Sequence, residues 1–126
     1  MVSAMLAMGC ATTTNYRMQA SSTVPTASGS VGVSGGDDED NDLSIRVENL
    51  ADPSTLSPGA SAYVVWVAPV GDAAQNVGSL QVDGRSGSLS TVTPLLHDFI
   101  VSITPEMEAQ AVAPSGPEVL SVTVHR

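Results

Sequence analysis

The amino-acid sequence predicts an all-β protein made of two packed antiparallel sheets, and three observations carry that expectation. Apolar side chains recur with a period of two, most clearly where Leu43, Ile45 and Val47 alternate with Ser44, Arg46 and Glu48, the pattern of a strand with one wet face. The apolar content comes from Val, Ala, Leu and Ile, with aromatic residues at only 3%, and the accompanying bias to Val, Thr and Ser is at home in strands. Gly and Pro interrupt the runs at short intervals, and no segment of roughly ten residues follows the helical period.

Taken in order, residues 1–9 are apolar or small, and residues 10–30 are rich in Ser, Thr and Ala, a composition suited to a flexible tether. Within that tether Tyr16, Met18 and Ala20 alternate with Asn15, Arg17 and Gln19, so it is expected to end in an edge strand. The sandwich domain is assigned to residues 31–126. Val31 and Val33 open it, and Gly35 to Asp42 supply turn formers and charge without an apolar side chain, which predicts a hairpin loop leading to the strand at Leu43. After turn signals at Asp52-Pro53 and Pro58-Gly59, Tyr63-Val64-Val65-Trp66-Val67-Ala68 is apolar on both faces, as a central strand must be. Pro69 to Asn76 is expected to turn the chain. Leu80 and Val82, the Asp83-Gly84 turn and Leu89 to Val92 then predict a hairpin. Phe99, Val101 and Ile103 form the next strand, residues 105–117 are punctuated by Pro, and Leu120, Val122 and Val124 share one face of the last.

Seven or eight short strands of this kind point to an immunoglobulin-like antiparallel β-sandwich. Trp66, on the central strand, is the expected core anchor between its sheets, because a buried Trp offers the largest single apolar contribution.

Thirteen acidic residues oppose four Arg and no Lys, a net charge of −9, which repels a phosphate backbone and argues against nucleic-acid binding. Cys10 is the sole cysteine, so no intramolecular disulfide supports the domain. Leu6-Ala7-Met8-Gly9-Cys10, followed by Ala11-Thr12-Thr13-Thr14, resembles the lipobox of bacterial lipoproteins. The resemblance implies lipidation of Cys10 after removal of the preceding segment, with several acyl chains giving a stable membrane anchor. Ala7 stands where that family most often has Leu, and no Lys or Arg precedes the apolar stretch. Residues 1–9 are therefore read as a truncated signal segment, with a basic region expected upstream. Ala11, rather than Asp, after the cysteine implies the periplasmic face of the outer membrane. The partners expected are that membrane and an envelope protein.

A second resemblance covers roughly residues 61–122. Tyr63-Val64-Val65-Trp66-Val67, Gly71, Asn76-Val77-Gly78-Ser79-Leu80, Phe99 through Glu106 and Pro114-Ser115-Gly116 resemble, in order and spacing, the extracytoplasmic C-terminal β-domain of anti-sigma-K-type anti-sigma factors. What this implies is fold and compartment. Sigma-factor binding is not carried over, because the residues that match belong to the extracytoplasmic part of that family alone.

Gly32-Val33-Ser34-Gly35-Gly36 fits the G-x-S-x-G pattern of hydrolases, but an acidic turn follows where a helix is required, and a Gly-rich hairpin explains the same residues. His97-Asp98 are neighbours in extended chain and point to opposite sides, which places this Asp poorly to orient this His; the other histidine is His125. Asp38, Asp40 and Asp42 offer oxygen ligands at alternate positions, so weak calcium binding at the acidic hairpin is the alternative function. Leu43 and Asn49 depart from the EF-hand pattern. No other cofactor is expected, and the leading function is a non-enzymatic, lipid-anchored interaction or structural module of the cell envelope.

Overall fold

A computed structural model of the protein describes residues 13–22, 24–35, 40–94 and 98–125. It is an antiparallel sandwich of two five-stranded sheets. Sheet A contains, in spatial order, β1 (Thr14–Arg17), β3 (Ser28–Gly35), β4 (Asn41–Glu48), β8 (Ser86–Thr93) and β7 (Gln81–Asp83). Sheet B contains β2 (Gln19–Ala20), β10 (Leu120–His125), β9 (Asp98–Glu106), β5 (Ala62–Pro69) and β6 (Gln75–Ser79). One helical turn, α1 (Pro53–Leu56), is capped by Asp52, whose side chain accepts from the Ser54 N–H at 3.0 Å.

Among the described residues there are ten strands rather than seven or eight: the edge strand expected from the Tyr16, Met18 and Ala20 alternation is present but divided into β1 and β2, and β6 is a further short edge piece with little apolar periodicity. β1 and β2 both fall in the segment assigned to the tether. They join different sheets, with the chain crossing between them at Met18, whose side chain is buried and whose N–H is held by the Gly29 carbonyl at 2.9 Å. β6 begins at Gln75, where the sequence predicts a turn. The chain then changes sheets at Leu80, which is buried and donates its N–H to Tyr63 O at 2.8 Å. The expected hairpin follows: Asp83 pairs with Ser86 across Gly84-Arg85. Gly84 has φ +66°, while Arg85 is not among the residues with positive φ, which is the type II′ geometry that needs Gly first.

The core lies between the sheets. Val31, Val33, Leu43, Ile45 and Val47 come from sheet A; Tyr63, Val65, Val67, Phe99, Val101, Ile103, Leu120 and Val124 come from sheet B. Each such side chain contributes roughly 1.5–3 kcal/mol by leaving water.

Trp66 is fully buried but stands outside this cluster, which corrects the expectation that it anchors the space between the sheets. Tyr63, Val65 and Val67 face the core, so Val64 and Trp66 face the opposite side of sheet B. That outer side is covered by the connection between β9 and β10, residues 107–118. Asn76 of β6 donates through Nδ2 to Ala109 O and Ala111 O at 2.8 and 2.9 Å, while Glu106 of β9 holds Ser115 and Gly116. Because β5 lies between β9 and β6, a strap fastened at both must pass over Trp66.

Candidate functional site

Two polar arrangements sit on opposite outer faces of the sandwich, and they differ in kind. Beneath the strap, Trp66 Nε1 donates to Thr104 Oγ1 at 2.8 Å, and Thr104 Oγ1 donates to Glu106 Oε2 at 2.6 Å. Ser115 donates its N–H to Oε2 at 2.9 Å and its hydroxyl to Oε1 at 2.6 Å, and Gly116 N–H reaches Oε2 at 3.2 Å. Thr104 and Glu106 are buried. Burial pushes the Glu106 carboxyl up, but the hydrogen bonds from Ser115, Thr104 and Gly116 outweigh it and hold the group below its ordinary value. With both carboxylate oxygens accepting hydrogen bonds from within the protein, Glu106 closes the strap. Gly116 is required there: a Cβ would lie 2.1 Å from Pro105 O.

No segment among the described residues covers the outer face of sheet A. Strand alternation and register place on it Ser28, Ser30, Gly32 and Ser34 from β3, Asp42, Ser44, Arg46 and Glu48 from β4, and Ser88, Ser90 and Val92 from β8. Short side chains leave two depressions. One, of about 300 Å³, is lined by Thr13, Gly32, Ser34, Asp42, Ser44 and Ser90. The other, of about 750 Å³, is lined by Asn15, Arg17, Ser28, Ser30, Arg46 and Glu48. Across the second runs one register row in which Arg17 pairs with Ser30 and Ser30 with Arg46. Sequence reading missed this row, since Arg17 and Arg46 are far apart in the chain and only antiparallel register brings them to either side of one serine.

The residues singled out from sequence are distributed as follows. Cys10, Asp38 and His97 lie outside the described residues. Asp40 and Asp42 are exposed at the start of β4, while Asn41 between them is buried and turned inward, its Oδ1 and Nδ2 meeting no hydrogen-bonding group among the described residues. Asn41 therefore does not complete an oxygen shell with its neighbours, and among the described residues no group of three or more His, Cys, Asp or Glu side chains could hold a metal ion. Ser34 belongs to sheet A, whereas Asp98 and His125 pair across β9 and β10 of sheet B, with Oδ2 and Nδ1 3.6 Å apart. The fold thus gives Asp98 a histidine neighbour from the last strand and brings neither residue to the serine's sheet. No helix among the described residues is long and apolar enough to cross a membrane.

Comparison of the chain with protein-family models, with curated proteins and with solved structures returns no match.

Proposed function

We propose that this chain is a non-enzymatic interaction module of the bacterial cell envelope, anchored through lipid on Cys10 and presenting the outer face of sheet A to its partner. One observation carries the recognition half of this reading: the two outer faces are treated differently. On sheet B the strap covers Trp66 and Thr104, and the depression of about 590 Å³ described there lies only at its border with β6, whereas sheet A carries a polar surface with two depressions and a pair of arginines. A passive spacer has no use for that asymmetry. The anchor rests on the lipobox-like run ending at Cys10. β1 starts at Thr14, so only three residues separate Cys10 from the sandwich, and a lipid there would hold β1 within about 15 Å of the membrane surface. The resemblance of residues 61–122 to the extracytoplasmic β-domain of anti-sigma-K-type anti-sigma factors also supports the envelope reading.

Mass spectrometry of the protein purified from a bacterial membrane fraction tests the anchor. The expected species begins at Cys10 and carries acyl chains, and Cys10→Ser abolishes the modification and releases the protein from the membrane. Recovery of an unmodified chain that still contains residues 1–9 overturns it.

A further inference from the structure

We infer that Arg17, Ser30 and Arg46 form a binding site for a phosphate group. The inference rests on the reading of sheet A's outer face as the recognition surface and is independent of the anchor at Cys10. Register sets the geometry: β1 Arg17 is directly opposite β3 Ser30, which is directly opposite β4 Arg46, so the two arginines flank the serine at a separation of two strand spacings, roughly 10 Å between Cα atoms. Both side chains are long, the residue between them is short, and all three line the same 750 Å³ groove. The guanidinium groups can lean over Ser30 from either side and converge on a point above its hydroxyl.

The chemistry of the three donors selects the ligand. Guanidinium forks match oxyanions in a bidentate manner. Two forks and one hydroxyl converging on one point suit the three free oxygens of a phosphate monoester better than the two of a carboxylate. The arginines are also not engaged within the protein: neither lies within 4.0 Å of a carboxylate nor makes a side-chain hydrogen bond among the described residues. That is informative in a chain with thirteen acidic residues and four arginines, where pairing with a carboxylate is the easy outcome. Glu48, the carboxylate lining this groove, is drawn toward β8 by the Ser86 hydroxyl at 2.7 Å. The distant acidic residues repel an anion only weakly at physiological salt, where the Debye length is about 8 Å, so the groove's own charges govern it, two arginines against the one carboxylate of Glu48. The phosphate can belong to a lipid headgroup or to a free phosphorylated ligand.

The test is an NMR titration of the full chain, following the Ser30 amide and the arginine Nε–H resonances. Pyrophosphate, with three free oxygens on each terminal phosphate, probes the free anion; vesicles containing phosphatidic acid, whose headgroup is a phosphate monoester, compared with neutral detergent micelles lacking phosphate, probe the headgroup. Saturable shifts confined to this row are expected with at least one probe, and whichever probe produces them identifies the source. Arg17→Gln and Arg46→Gln should each weaken binding by roughly tenfold or more, with Arg85→Gln, in the β7–β8 turn, unchanged. Unaltered Trp66 emission in each variant confirms that the fold is retained. Absence of saturable shifts with both probes, or equal binding by the Arg17→Gln, Arg46→Gln double variant, overturns the site. Either result leaves the lipid on Cys10 to its own measurement.

Discussion

Trp66 donates its indole N–H to Thr104 Oγ1 at 2.8 Å, and through that hydroxyl the largest side chain of the protein is coupled to the buried carboxylate of Glu106. An apolar anchor and a polar latch thus act on the same strap. Trp66→Ala should destabilise the protein by about 3–5 kcal/mol, a large share of what a small domain possesses. Trp66→Phe, which keeps most of the buried ring and removes the donor, should cost less. Urea denaturation followed by far-ultraviolet circular dichroism measures both, and a loss below about 1 kcal/mol for Trp66→Ala would contradict its burial beneath the strap.

Glu106→Gln places an amide N–H among donors that need an acceptor, and should cost about 1–3 kcal/mol. The sign of the pH effect follows from the pKa, which is lower in the folded protein than in the free side chain. Deprotonated Glu106 is stabilised only by folding, so its contribution is present above the ordinary glutamate pKa and is lost as pH falls through the folded value. The wild type should lose stability on acidification more steeply than Glu106→Gln, measured as urea midpoints across the acid range. Parallel pH profiles would exclude the carboxylate as the latch.

At Gly116 the approach of the strap to Pro105 O leaves no room for a Cβ. Gly116→Ala should force the strap outward, cost about 1–3 kcal/mol, and shift Trp66 emission to longer wavelength as water reaches the ring. An unshifted spectrum with unchanged stability would show that the strap tolerates the methyl group.

Tyr63 donates its hydroxyl to Ala51 O at 2.5 Å, and burial, with a smaller effect of the Asp52 charge, pushes its pKa up to about 12. The folded state therefore holds this proton more tightly than the unfolded chain. Stability from this group is complete below about pH 10 and is lost as pH rises toward about 12. Tyr63→Phe should cost about 0.5–1.5 kcal/mol at neutral pH and flatten the alkaline limb of the stability profile. A limb of unchanged slope would exclude Tyr63 as its origin.

The fold class was legible because a strand exposed on one face writes its orientation into alternate residues. Leu43, Ile45 and Val47 could face only the core, and Asp83-Gly84 could only turn. β5 is covered on both faces, so its unbroken apolar run could not say which parity looks inward; the strap, which buries Trp66 on the far side, decided that. The alternation of Tyr16, Met18 and Ala20 announced an edge strand but not its division at Met18 into β1 and β2 of different sheets, and β6 was obscure, because backbone pairing with a neighbour defines it more than any apolar pattern of its own.

What the sequence by itself determined is the two-sheet sandwich, its central strand, its β7–β8 hairpin and the negative charge, all consequences of local periodicity, turn chemistry and composition. Tertiary structure alone decided the partners of Glu106, the pairing of Asp98 with His125, and the Arg17–Ser30–Arg46 row. Each joins side chains brought together by antiparallel register or by the return of a long connection, and neither leaves a trace in the spacing of residues along the chain.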